Sequence, residues 1–236
     1  MTSIPVYLIP DIKSNLSLMA GSTYFTLLDI ENAYWNIPIK EEYEDTTGFV
    51  TPFGSFRCEK MAFVLSDAPA AFSKMMDAVL MGFRDVECLV YLDDILIISA
   101  TVPEHARQMR LVFERIRDAN FKLGIAKCVF AAPKVSHLGN ILSKDGVRAD
   151  QIEVTAIWNF PRPKTVRDIR AFLCLSGYYR SFIKDYTAIS RPLTQLTKKD
   201  AKFEWAEAQQ LSFDNLKTAL TSDSVLAHPR FDLLLY

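Results

Sequence analysis

Residues 89–99, LVYLDDILIIS, place two apolar runs on either side of Asp93 and Asp94. A two-residue connection between such runs favours a β-hairpin, and aspartate tolerates the turn. Carboxylates seldom lie between apolar strands without compensation, because burying a lone charge is costly. A second apolar run, YFTLL at 24–28, reads as a buried strand that ends at Asp29. If the two strands are neighbours, three carboxylates meet. Their repulsion would raise their pKa values or demand cations. All-oxygen ligands favour Mg²⁺ or Mn²⁺ over zinc. Two such ions about 3.5–4 Å apart serve in-line phosphoryl displacement. From this pattern alone, an exposed turn at Asp93 and Asp94 with Asp29 as a helix cap fits equally well.

Working outward, residues 48–56 predict a hairpin, with Pro52 and Gly54 near its turn. Residues 66–83 predict a helix capped by Ser66 or Asp67, with Pro69 in its first turn. Its stripe of Phe72, Met75, Met76, Val79, Leu80 and Phe83 reads as core. Residues 8–19 predict a short helix, and 104–123 an amphipathic one stopped by Gly124. Residues 127–130 and 135–142 read as strands. Beyond the linker Phe160-Pro161-Arg162-Pro163 the chain reads helical to about Ala219, placing a domain boundary near 159–164. Thr165 and Asp168 form a capping-box pattern for a helix over 166–183, and Pro192 and Ala206 open two more.

The 236 residues allow one large domain or two small ones, and a hydrophobic content of 50% supports a sizeable core. No apolar run is long enough to cross a membrane, and the start lacks the pattern of a secretory leader. Four scattered cysteines without a C-x-x-C pair argue against zinc and fit reduced thiols. Net charge is -1, yet residues 162–199 carry nine Lys and Arg against Asp168 and Asp185. Such a segment suits phosphate binding, and it suits a solvated helix face equally.

Five blocks follow one another in order: YFTLLDIENAYWNIPI, GFVTPFGSFRCEKMAFVLSDAPAAF, CLVYLDDILIIS, KCVFAAPKVSHLGNILSKDGV and VRDIRAFLCLSGYYRSFI. Together they resemble the reverse transcriptase of gypsy-type long-terminal-repeat retrotransposons, over residues 5–232. The resemblance implies an α+β fold: a palm over residues 1–160, an antiparallel sheet with helices on one face. A helical thumb and connection over 161–236 would lead toward a ribonuclease H domain. It implies an RNA-directed DNA polymerase using two Mg²⁺ or Mn²⁺ ions, an RNA or DNA template with primer, and deoxynucleoside triphosphates. The chain would belong to a Pol polyprotein acting inside the cell, in the cytoplasm, a virus-like particle or the nucleus, without a membrane.

By the same resemblance Asp29 and Asp93 share both metals, with Asp94 in support. Tyr34 lies under the incoming sugar and excludes a 2′-hydroxyl. Phe63 and Pro69 line the nucleotide pocket, and Tyr91 rests near the primer end. His137, Leu138 and Gly139 resemble the primer grip. Arg162, Lys164, Arg167 and Arg170 track duplex phosphates. The chain departs from the family at Ala62, at Val64 and Cys174 (both glycine there), and at Asp67. The family's fingers are expected upstream of Met1 and its ribonuclease H domain beyond Tyr236. Other function classes are a non-catalytic remnant that at most binds nucleic acid, and a metal-dependent nuclease. The Tyr-Leu-Asp-Asp pattern, with no catalytic histidine constellation, argues against the nuclease.

Overall fold

The computed structural model describes residues 19, 21–63, 65–84, 87–199, 201–221 and 225–226. Val64, and all but the last residue of the helix predicted at 8–19, lie outside them.

In chain order, β1 (Tyr24–Asp29) is followed by a short helix α1 (Glu41–Glu44), the hairpin β2 (Phe49–Thr51) and β3 (Gly54–Phe56), and helix α2 (Ala68–Val79). Next come β4 (Cys88–Tyr91), β5 (Asp94–Ser99), α3 (Val102–Asp118) and β6 (Val129–Ala132). Strands β4, β5, β1 and β6 lie in that order in one antiparallel sheet. Leu28 opposes Ile95, and Ile97 opposes Cys88, so alternation puts Leu28, Cys88, Val90, Ile95 and Ile97 on one face. That face packs against Phe72, Met76 and Leu80 around α2 and Val112 and Ile116 of α3. Full burial of each such side chain contributes about 1.5–3 kcal/mol. Both helices therefore cover one face, and Asp29, Tyr91 and Asp94 project from the other by the same alternation.

Helix α2 starts one residue before Pro69, which sits where a missing N–H costs nothing. Helix α3 is capped by Thr101, whose hydroxyl accepts from the Glu104 amide. It ends earlier than Gly124. Asn120 takes the left-handed conformation at φ 59°, and the Phe121 amide donates to the Ile116 carbonyl at 3.0 Å. Asparagine tolerates that conformation, so it closes the helix and leaves Gly124 for another role.

A second group of elements begins with β7 (Lys134–His137), β8 (Asn140–Ser143) and β9 (Gly146–Ala149). The single strand expected at 135–142 is thus two, joined by a turn at Leu138 and Gly139. Helices α4 (Gln151–Trp158), α5 (Val166–Tyr178), α6 (Tyr186–Gln195) and α7 (Glu207–Thr221) follow, then β10 (Val225–Leu226) beside β9. The capping box at Thr165 and Asp168 is present in full. Helix α5 ends at Tyr178 and gives way to a 3-10 turn, Arg180–Phe182, rather than running to residue 183. Pro192 lies inside α6 instead of opening a helix.

Contacts divide the chain into two compact units, one reaching Val135 and the other starting at Ser136. The division precedes the proline-rich stretch at 159–164, because that stretch is anchored within the second unit. Phe160 packs on Phe172, which packs on Phe213, and Lys217 Nζ donates to the Phe160 carbonyl at 2.6 Å.

Candidate active site

Strand pairing brings Asp29 opposite Asp94, and Asp94 opposite Tyr91. The two-residue turn is therefore Leu92 and Asp93, one position earlier than the Asp93-Asp94 turn read from the sequence. Ile95 and Ile97 can reach the helix-covered face only in this register. Leu92 adopts φ 53°, a strained conformation for a leucine, costing roughly 1–3 kcal/mol. The Asp93 carbonyl accepts from the Ile30 amide at 3.0 Å, tying the turn to the end of β1.

Asp29 is fixed from several sides. Its amide donates to Cys128 Sγ at 3.4 Å, and its carbonyl accepts from the Gly124 amide at 2.9 Å. Lys127 Nζ lies 3.2 Å from Asp29 Oδ1, the lysine 74% exposed and the aspartate 14%. Gly124 stands so close that a Cβ there would lie 2.6 Å from Asp29 Oδ2. Sequence reasoning named neither Gly124 nor Lys127 as part of the site. Lys127 is 98 residues from Asp29, and no local pattern announces such a pair.

Burial pushes the Asp93 carboxyl above the usual carboxylate range; a hydrogen bond from its own backbone opposes this, the charges of Asp94 and Asp29 add to it, and Lys127 opposes it more weakly. Burial, with Asp93 nearby, likewise raises the Tyr34 hydroxyl. The Tyr34 ring meets Phe63 edge-on at 5.2 Å and Phe72 at 5.8 Å. Phe63 thus joins Tyr34, while Pro69 opens α2, which packs on the Ala33–Asn36 turn carrying Tyr34.

Carboxylate oxygens suit a hard divalent cation. Among the described residues, no three His, Cys, Asp or Glu side chains are gathered closely enough to hold one. The backbone places Asp29 opposite Asp94, with Asp93 next to it in the turn, and the Lys127 ammonium pairs with Asp29. An all-carboxylate donor set of this kind is the type that favours Mg²⁺ or Mn²⁺ over zinc.

In the second unit, His137 is buried, at 4% exposure, so the turn offers Leu138 and Gly139 rather than the imidazole. Arg162, Lys164, Arg167 and Arg170 are all exposed. The Arg162 guanidinium lies over Trp205 at 5.4 Å, and Arg170 donates to the Thr197 carbonyl at 3.2 Å. Those two have structural work besides any phosphate contact.

The sequence matches the family Reverse transcriptase (RNA-dependent DNA polymerase) over residues 2–142. The chain belongs to the reverse transcriptase family. Its relatives include the retrovirus-related Pol polyproteins of the Drosophila melanogaster transposons 297, 37% identical over 96% of the chain, and gypsy, 34% identical over 95%. The chain spans 21% and 23% of those two polyproteins. Among solved structures, the foamy viral protease-reverse transcriptase in complex with double-stranded DNA shares its fold, with a TM-score of 0.88 at 20% identity. That match covers 97% of this chain and 40% of the viral one. The same viral enzyme with an RNA/DNA hybrid matches at a TM-score of 0.82 and 21% identity, over 94% of this chain and 30% of that one. This reverse transcriptase chain has, among its described residues, no helix long and apolar enough to cross a membrane.

Proposed function

We propose that this chain adds deoxynucleotides to a primer 3′ end along an RNA or DNA template, as part of a retrotransposon Pol polyprotein. The observation that carries this reading is the pairing of Asp29 with Asp94 beside the Leu92 and Asp93 turn. The primer 3′-hydroxyl attacks the α-phosphorus of a deoxynucleoside triphosphate, and pyrophosphate leaves. Two Mg²⁺ or Mn²⁺ ions, when bound, would acidify that hydroxyl and neutralise the leaving charge. Asp29 and Asp93 would hold those ions, with Asp94 in support. Tyr34, braced by Phe63 and Phe72, meets the sugar of the incoming nucleotide and rejects a 2′-hydroxyl. Phe63 and Pro69 line the nucleotide pocket, and Tyr91, paired with Asp94, rests by the primer end. His137 from within, with the half-buried Leu138 and Gly139, forms the primer-holding turn. The exposed bases Arg162, Lys164, Arg167 and Arg170 follow duplex phosphates without reading sequence, as template copying requires.

The test is primer extension on a primed RNA template with Mg²⁺ and deoxynucleotides, comparing the chain with Asp93→Asn. Extension lost in the variant supports the reading, and equal extension by both overturns it. A second reading, nucleic-acid binding without polymerisation, draws on the Lys127 ion pair that already engages Asp29. Binding of the duplex with no extension by either protein would favour it.

A further inference from the structure

The turn between β7 and β8 is held in an unusual way. Leu138 and Gly139 both lie in the left-handed region, at φ 47° and 67°. Glycine does this freely, but a leucine needs the surroundings to impose it. Four donors do so. Tyr178 Oη donates to the Leu138 carbonyl at 2.7 Å, and Asn140 Nδ2 donates to the same oxygen at 2.8 Å. Tyr179 Oη donates to the Gly139 carbonyl at 2.9 Å, and the Asp150 amide donates there at 2.9 Å. A Cβ on Gly139 would stand 2.7 Å from Tyr179 Oη, so the glycine permits the closeness of this contact.

The two tyrosines differ in a telling way. Tyr179 is 2% exposed, and a buried phenol needs a partner for its hydroxyl. Tyr178 is 49% exposed and could give its hydroxyl to water, yet it too turns to the peptide of the turn. Both stand at the C-terminal end of α5, with rings edge-to-face at 4.9 Å. A short hairpin turn is mobile by itself; this one is bolted to a helix 40 residues away in sequence.

We infer that Tyr178 and Tyr179 are positioning residues that lock the Leu138 and Gly139 turn to α5. The surface that meets the primer 3′ end and the helix carrying Arg167 and Arg170 then move as one body. The inference rests on the polymerase reading above and deepens it. It takes the primer terminus as the ligand of the turn from that reading, and adds that the hold on that terminus depends on two phenolic hydroxyls outside the turn.

The experiment uses the full chain with Tyr178→Phe and Tyr179→Phe, singly and together. The probe is a fluorescent primer–template with photoreactive 4-thiothymidine at the primer 3′ end. The wild-type chain is expected to bind the duplex and cross-link at the turn. Each variant is expected to weaken binding about three- to tenfold and to lower the cross-link yield at saturating duplex. Tyr178→Phe, whose ring is half exposed, should keep the wild-type melting temperature, so its loss of yield is not a loss of fold. Wild-type affinity and yield in Tyr178→Phe would overturn the inference, as would a bound duplex whose primer end cross-links only to parts of the chain other than the turn. Failure of the wild-type chain to bind the duplex would bring down the polymerase reading itself, and this inference with it.

Discussion

Replacing Gly124 by alanine tests how closely Asp29 is positioned. Gly124 centres an inverse γ-turn: its φ is -77° and ψ 73°, and the Ile125 amide donates to the Leu123 carbonyl at 3.0 Å. Alanine adopts those angles without strain, so the backbone has no reason to rearrange. The added Cβ would stand 2.6 Å from Asp29 Oδ2, where ordinary contacts begin at 3.4 Å. The carboxylate must retreat by at least ~0.8 Å to regain van der Waals distance. A misplacement near 1 Å at a reacting centre costs on the order of 100-fold in rate. We therefore expect Gly124→Ala to slow single-nucleotide primer extension about 10- to 100-fold. The melting temperature should change little, because the loss of chain entropy in the unfolded state works in favour of alanine. The assay is single-turnover extension with Mg²⁺, paired with thermal unfolding. Wild-type rate in a folded Gly124→Ala protein would refute the argument that this glycine sets the Asp29 carboxylate.

Lys127→Met removes the cation from Asp29 and should tighten Mn²⁺ binding, by no more than about fivefold because the ion pair is exposed; weaker binding in an electron paramagnetic resonance titration would contradict it. His105 is buried between Thr26 Oγ1 and Ser99 Oγ, each at 2.7 Å, and burial lowers its pKa below the ordinary 6.5. The fold favours the neutral ring, so its contribution to stability is whole above pH 6.5 and fades as pH falls through the lowered folded value. Thermal melts should show this acid-side loss, and His105→Gln should flatten it; an identical pH profile in the variant would count against this assignment. Thr165→Ala removes the hydroxyl that caps α5 and should cost about 1 kcal/mol, measured by urea unfolding. An unchanged midpoint would mean that Asp168, which accepts from the Lys164 and Thr165 amides, holds the cap alone.

Much of the architecture is legible in the amino-acid sequence. The apolar runs around Asp93 and Asp94 did become two antiparallel strands, and Phe72 and Met76 did face the core. The capping box at Thr165 and Asp168 formed as written. Each of these depends on residues within a few positions of one another, so the chain states them locally. The register of the hairpin did not follow the same way. An aspartate pair looks like a turn, and a leucine at φ 53° is a conformation that no propensity favours. Asn120 ends a helix that the sequence pattern carries on to Gly124, because either residue can close one. The division at Val135 was equally hidden, since only the packing of Phe160 and Phe172 reveals where the proline-rich stretch belongs.

The sequence by itself determined the alternation of strands and helices, the faces they bury and the family to which the chain belongs, because periodicity and motif order are properties of the chain alone. Only the tertiary structure decided that Asp29 stands opposite Asp94, that Lys127 and Gly124 close on Asp29, and that two tyrosines hold the turn at Leu138. Those are contacts between residues far apart in the chain. Their geometry follows from how whole elements pack, and no short stretch of sequence encodes it.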